Sequence, residues 1–239
     1  VISYTSEPGE YFHAEFYSRF GRPTDLQKET ATAPIGGFVN QAKNIYYQKT
    51  RFSEEFHSVK RILNYPQYFG YLLTGIAAVE PTYLGCHTFL IDPSPLRWSR
   101  IARELGAAEK YPGCFSPTNS VLGTVHPEAS EKIGLPTDTL VTVGIHDSDA
   151  SLLPYLIQNT DNFVLASTGT WCVFMHPARN FTLEQDEIGK MVFYNVDAFG
   201  DPVKTSILMG GVEFEAWTAL FGTKNKDFGE KSFNPSIYD

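Results

Sequence analysis

Apolar and polar positions divide this chain into short segments that alternate between helical and strand periods. Val1–Tyr4 has a strand pattern, and residues 24–37, polar with Pro and Gly, read as a loop. Phe38, Ala42, Ile45 and Tyr46 recur at i, i+4, i+7 and i+8, which is one helix face. Phe52, Phe56, Val59 and Leu63 repeat the pattern on a second helix that stops before Pro66. The next segment closes at Gly75, read as a C-cap. Ser94 as N-cap and Pro95 at the first position open a further helix, with Trp98, Ile101, Ala102 and Leu105 on one face and Gly106 ending it. Residues 111–136 read as an irregular linker with a short strand at Leu122–Val125.

The pattern then tightens. Leu140, Val141, Val143 and Ile145 predict a buried strand over 139–145, followed at once by His146 and Asp147. Asp147 or Ser148 caps a short helix that Pro154 limits or kinks. Two apolar runs, Phe163–Ala166 and Trp171–Met175, flank the small-residue turn Ser167-Thr168-Gly169-Thr170. A polar loop over 176–189 leads to a strand at Lys190–Val196, a turn at 198–202, and a strand or helix start at Val203–Leu208. Met209, Val212, Ala216 and Leu220 mark a last helix face closed by Gly222, and Lys224–Asp239 is charged and turn-rich.

Composition narrows the classes of function. At 239 residues with 42% hydrophobic and 19% charged residues, the chain can bury a sizeable core. A net charge of −8 argues against nucleic acid as main partner. No apolar run reaches the roughly 18 residues of a membrane helix, and no signal-peptide pattern opens the chain. Cys86, Cys114 and Cys172 are odd in number and widely spaced, which suggests reduced thiols in a cytoplasmic protein and no zinc or disulfide pattern.

The candidate chemistry lies in 141–175. A carboxylate at a strand end and a helix N-terminus can accept a proton from an alcohol. A Ser-Thr-Gly-Thr turn offers amides and hydroxyls to phosphate oxygens, and Gly169 lets the backbone come close. Together these are what phosphoryl transfer to a hydroxyl needs. Taken singly, Asp147 reads as a helix cap and the turn as a hairpin. Gly210-Gly211 fits a phosphate- or ribose-facing helix start and a tight helix entry equally well. A metal-dependent phosphohydrolase built on His146-Asp147-Ser148-Asp149 is a weaker reading, because the pair follows a strand and the other five histidines are scattered.

Gly144-Ile145-His146-Asp147 followed by Ser167-Thr168-Gly169-Thr170-Trp171 resembles the FGGY family of carbohydrate kinases. The His-Asp pair and the Trp are similar to its L-rhamnulokinase and L-fuculokinase branch. Pro66-x-Tyr68-x-x-Tyr71-x-Leu73-Thr74-Gly75, then Glu80-Pro81-Thr82 and Gly85-Cys86-His87-Thr88 with Asp92, extend the likeness, although Glu80 and His87 themselves read best as structural. The resemblance implies an α/β, ribonuclease-H-like fold of the actin and hexokinase kind, present here incompletely as parts of two domains. It divides the chain into the second half of a sugar-binding domain (1–137), a catalytic strand-helix at the junction (138–160) and the start of a nucleotide-binding domain (161–239).

The family's Asp-x-Gly-Thr hairpin, its Gly-Gly-Gly adenosine segment and the sugar-contacting segment expected after Tyr4 have no counterpart here, which implies part of a longer kinase. The implied reaction is transfer from ATP with Mg²⁺ to a ketose, L-rhamnulose or L-fuculose being the favoured sugars. Asp147 is then the general base, His146 the sugar contact, and Ser167, Thr168, Gly169, Thr170, Gly210 and Gly211 the nucleotide side. A second copy of the chain is an expected partner. The alternatives are a non-catalytic sugar- or nucleotide-binding protein on the same fold and a purely structural fragment.

Overall fold

The computed structural model describes residues 2–4, 6–158 and 162–222. The N-terminal layer is helical: α1 Glu10–Phe20, α2 Pro23–Thr30, α3 Gln41–Arg51, α4 Ser53–Ser58, α5 Tyr65–Thr74 and α6 Pro81–His87. Phe12, Phe16 and Phe20 lie one turn apart on α1 and bury against Phe38, Ile45 and Tyr46. Ring pairs such as Phe16–Phe20 at 4.9 Å and Phe20–Tyr46 at 5.4 Å make this core largely aromatic.

Several expectations are corrected here. Residues 2–4 form no strand; the Tyr4 carbonyl accepts from the Phe38 amide instead. The loop expected at 24–37 contains α2, whose inward face is Leu26, Gln27 and Thr30. That face escapes an apolar pattern because Gln27 is buried by hydrogen bonding. Its amide nitrogen donates to the carbonyls of Lys190 and Val192, and its oxygen accepts from the Gly189 amide. The helix expected from Phe52 to Leu63 is cut to α4, and Phe52 is exposed. The helix expected at Ser94–Pro95 is a hairpin, β1 Ile91–Pro93 with β2 Leu96–Trp98. Ser99 is the true cap: its hydroxyl accepts from the Ala102 amide and opens α7 Arg100–Leu105, which Gly106 ends in the left-handed region at φ 68°.

The second half begins with β3 Val121–Thr124, α8 Pro127–Ile133 and β4 Leu140–Thr142. β3 and β4 pair antiparallel as a two-stranded sheet. The buried strand expected over 139–145 is therefore three paired residues with Leu140 exposed, and only Val143 is fully inside. After α9 Asp147–Ile157 come β5 Leu165–Ser167, β6 Cys172–Pro177, β7 Val192–Val196 and β8 Pro202–Leu208, antiparallel in the order β5-β6-β8-β7. The chain continues into α10 Gly210–Leu220, whose N-cap Met209 and apolar residues Val212, Trp217 and Leu220 are exposed.

β7 is one of the places where the halves join. The Tyr194 amide donates to the Ala31 carbonyl, so β7 extends along the residues after α2. Val196 sits in the aromatic core and Phe193 packs with Ala33, Ile35 and Cys86. α9 is tied to the four-stranded sheet through Leu152, Met175 and Val203.

The seam between α6 and β7 is close enough to require glycine. A Cβ at Gly85 would stand 2.5 Å from Val196 Cγ2 and 2.9 Å from its Cβ. Gly85→Ala is expected to destabilise the fold by about 1–2 kcal/mol, overpacking outweighing the gain in helix propensity. Gly36→Ala, with nothing within 4 Å of the added methyl, is the neutral comparison. Urea unfolding of both variants checks the difference; equal midpoints would mean that the seam is loose.

Candidate functional site

His146 and Asp147 open α9. His146 is the N-cap, with ψ 142°, where Asp147 or Ser148 was expected to cap. Asp147 is the first helical residue; its Oδ1 accepts from the Ser148 amide at 2.8 Å and lies 3.2 Å from His146 Nδ1. Its side chain is 94% exposed. One carboxylate oxygen thus serves the helix start and the other faces outward, at the positive end of the helix dipole. The chain leading in is fixed by side chains. Gln67 donates to the Gly144 carbonyl and Thr82 Oγ1 accepts from the His146 amide at 2.9 Å. Thr82 is held in turn by Glu80, whose buried carboxylate caps α6 by accepting from the Thr82 and Tyr83 amides. Glu80 therefore has the structural role expected of it.

Behind Asp147 the side chains form a small aromatic and imidazole wall. Tyr83, His87 and His146 stand edge to face, with His87 and His146 centroids 5.8 Å apart. His87 Nδ1 is 2.9 Å from the Val39 carbonyl. Burial lowers the His87 imidazole below its ordinary range; burial and the neighbouring His87 push His146 down to about 4. Both rings are therefore neutral near pH 7.

Sequence reasoning did not single out Tyr83, and it named Asp149 only within the weaker phosphohydrolase reading. Asp149 is fully buried, and among the described residues neither of its carboxylate oxygens has a hydrogen-bond partner. The available signal was helical spacing: Asp149 and Leu152, three apart on α9, share its inward face.

The second cluster is the turn between β5 and β6. Thr168, Gly169 and Thr170 are exposed, and among the described residues the hydroxyls of Ser167, Thr168 and Thr170 make no hydrogen bond. The structure brings this turn together with Gly210 and Gly211 at the start of α10. The Gly211 amide donates to the Thr170 carbonyl at 3.2 Å. A Cβ on Gly211 would lie 2.7 Å from both the Gly169 carbonyl oxygen and Thr170 Cα, and one on Gly210 would strike the Cys172 sulfur. At Gly211 the structure has a tight helix entry, with its amide donating to the turn. Among the described residues no hydrogen bond or ion pair joins the turn to Asp147; the shared apolar packing of α9 on the sheet relates the two clusters.

Comparison with known proteins places the chain among carbohydrate kinases of this kind. Residues 160–232 match the family described as carbohydrate kinase FGGY, C-terminal domain. A rhamnulokinase from Enterococcus faecalis is 30% identical over 122 residues, 49% of this chain and 24% of that protein. The crystal structure of a carbohydrate kinase from Novosphingobium aromaticivorans superposes with a TM-score of 0.76 at 29% identity, over 90% of this chain and 46% of the other. A ligand-bound xylulose kinase from Lactobacillus acidophilus superposes at 0.73 with 16% identity, over 91% of this chain and 44% of the other, a likeness of fold. The chain therefore spans about a quarter of the rhamnulokinase and less than half of each solved structure. The fold is the actin- and hexokinase-like α/β ATPase fold, in part. No described helix is long and apolar enough to cross a membrane.

The buried acids make the fold sensitive to pH. Burial, then repulsion from Glu80, Asp197 and Asp147, raises the Asp149 carboxyl well above its usual range, and burial raises Glu80. A raised folded pKa means that the folded state binds the proton more tightly. Stability from these groups is full below the unfolded value of about 4 and is lost as pH rises through the folded one. Asp149→Asn is expected to flatten that decline, read by thermal unfolding at a series of pH values from about 4 upward. A mutant with an unchanged slope would mean that Asp149 is solvated.

Proposed function

We propose that this chain, which belongs to the FGGY family of carbohydrate kinases, supplies the general base and one phosphate-binding turn of an ATP-dependent sugar kinase. The observation that carries the reading is Asp147: a largely exposed carboxylate at a helix N-terminus, anchored on one oxygen and open on the other.

The open oxygen accepts the proton of a sugar hydroxyl as that oxygen attacks phosphorus. His146, neutral beside Tyr83 and His87, orients the sugar through hydrogen bonds rather than charge. The unbonded hydroxyls of Thr168 and Thr170, with the close backbone approach to Gly169 and Thr170 that Gly211 permits, fit the oxygens of a transferring phosphate. ATP supplies the group that moves, and Mg²⁺ when bound neutralises its oxygens. No carboxylate stands in Ser167–Thr170, so Mg²⁺ would be held there through phosphate and water.

In this reading residues 1–137 belong to the sugar domain, 138–160 to the junction and 161–239 to the nucleotide domain. The favoured acceptor is a ketose, L-rhamnulose or L-fuculose, for which the rhamnulokinase likeness is the support.

In the complete protein, Asp147→Asn is expected to lower kcat by about 100-fold or more while the sugar dissociation constant stays within a small factor. A mutant retaining more than about a tenth of the activity would reduce Asp147 to a helix-start residue.

Thr170→Val is expected to weaken ATP or slow transfer by about tenfold, the scale of one hydrogen bond to a charged group. Initial rates at varied ATP and varied sugar separate the outcomes; an effect confined to sugar would detach the turn from the nucleotide.

A further inference from the structure

We infer that Cys86, His87 and His146 form a site for a borderline-soft divalent cation of the Zn²⁺ class, with Asp149 as the carboxylate behind it. The sulfur and one nitrogen of each ring lie within 4.8 Å of one another. The sequence hides the site, since two ligands are adjacent at the end of α6 and the third caps α9.

The tautomers favour coordination. The Val39 carbonyl, 2.9 Å from His87 Nδ1, keeps a proton on that nitrogen and leaves the Nε2 lone pair free. His146 Nδ1 lies 3.2 Å from Asp147 Oδ1 and 3.7 Å from Asp149 Oδ2. The Ser148 amide, which could otherwise hold that nitrogen as an acceptor at 3.3 Å, is better served by Asp147 at 2.8 Å. Nδ1 of His146 is thus surrounded by carboxylates, the usual outer partners of a metal-bound imidazole, and Nε2 is left for a ligand bond.

Asp149 is the independent observation. A fully buried carboxyl with two unpartnered oxygens is a rare arrangement, and a dication beside it would favour its ionised form. One sulfur and two imidazole nitrogens select Zn²⁺ or Co²⁺ over Mg²⁺. Bonds of about 2.0–2.3 Å require these atoms to close by roughly an ångström, within reach of side-chain rotation. Binding replaces the Cys86 S–H bond with a sulfur–metal bond and releases the proton to solvent; the metal is neither oxidised nor reduced. Three protein ligands leave a fourth position open. For its consequence the inference rests on the kinase reading: a cation that takes His146 removes the proposed sugar contact and inhibits turnover. The site itself does not depend on that reading.

Co²⁺ titration of the complete protein, reduced and free of sugar and ATP, tests it. One equivalent is expected to produce tetrahedral ligand-field bands and a thiolate-to-cobalt charge-transfer band. Cys86→Ser should abolish the charge-transfer band, whereas Cys114→Ser and Cys172→Ser should keep it. Asp149→Asn should weaken binding about 10- to 100-fold with the spectrum retained. If Cys86→Ser does not fold, loss of tetrahedral binding in folded His87→Gln stands in its place. Absence of the bands in the wild type, their survival in Cys86→Ser or His87→Gln, or their loss with Cys114 or Cys172 would overturn the site. Because no substrate is present, a protein that binds Co²⁺ but phosphorylates no sugar would sink the kinase reading alone.

Discussion

Asp147 stands where it does because the residues just before it have no neighbouring strand to bond with. Beyond Thr142 the backbone leaves the β3–β4 pair, and buried polar groups must then be met by side chains. Gln67 of α5 takes the Gly144 carbonyl, and Thr82 of α6 takes the His146 amide. A Cβ at Gly144 would lie 2.7 Å from Pro66 Cβ, so the chain also needs glycine to pass α5 this closely. Two helices from the first half thereby set the start of α9 in the second. The carboxylate can be exposed and yet fixed because its support lies in the backbone behind it.

The same support explains the buried acids. Glu80 carries its desolvation cost by accepting two amides, and Asp197 by accepting those of Phe199 and Asp201. Asp149 has no such compensation among the described residues. Two of the three buried carboxylates are thus satisfied, and the third is bare beside two imidazoles and a thiol, where the proposed cation would complete it.

What was legible in the sequence follows from how local each signal is. The inward face of α3, the Gly75 and Gly106 ends, the two strands around Ser167–Thr170 and the helix after Gly210 all depend on short spacings, and the structure contains each of them. The misses share a different cause. α2 has one strongly apolar inward residue, and Gln27 is buried only because carbonyls some 160 positions away accept from it. Ser94-Pro95 carries the local signature of a helix start, but residues 91–98 close a hairpin and the cap falls to Ser99. His87 and His146 meet across the seam between α6 and α9, so no spacing could announce their pairing. The motif proposed to carry the chemistry was readable; the wall behind it was not.

That wall imposes a choice on the site. A hydroxyl can be oriented by a neutral imidazole nitrogen, and a divalent cation can be bound by one, but the same nitrogen cannot do both. Burial keeps His146 neutral, which makes its Nε2 available over the pH range in which a kinase works and also exposes it to any soft cation that reaches Cys86. Asp147 is not among the three proposed ligands, and its side chain is largely exposed at the start of α9. A cation and a sugar would therefore compete through His146 alone. The base would remain in place but have no oriented hydroxyl to deprotonate, so inhibition by the cation would be relieved by raising the sugar concentration and not by raising ATP.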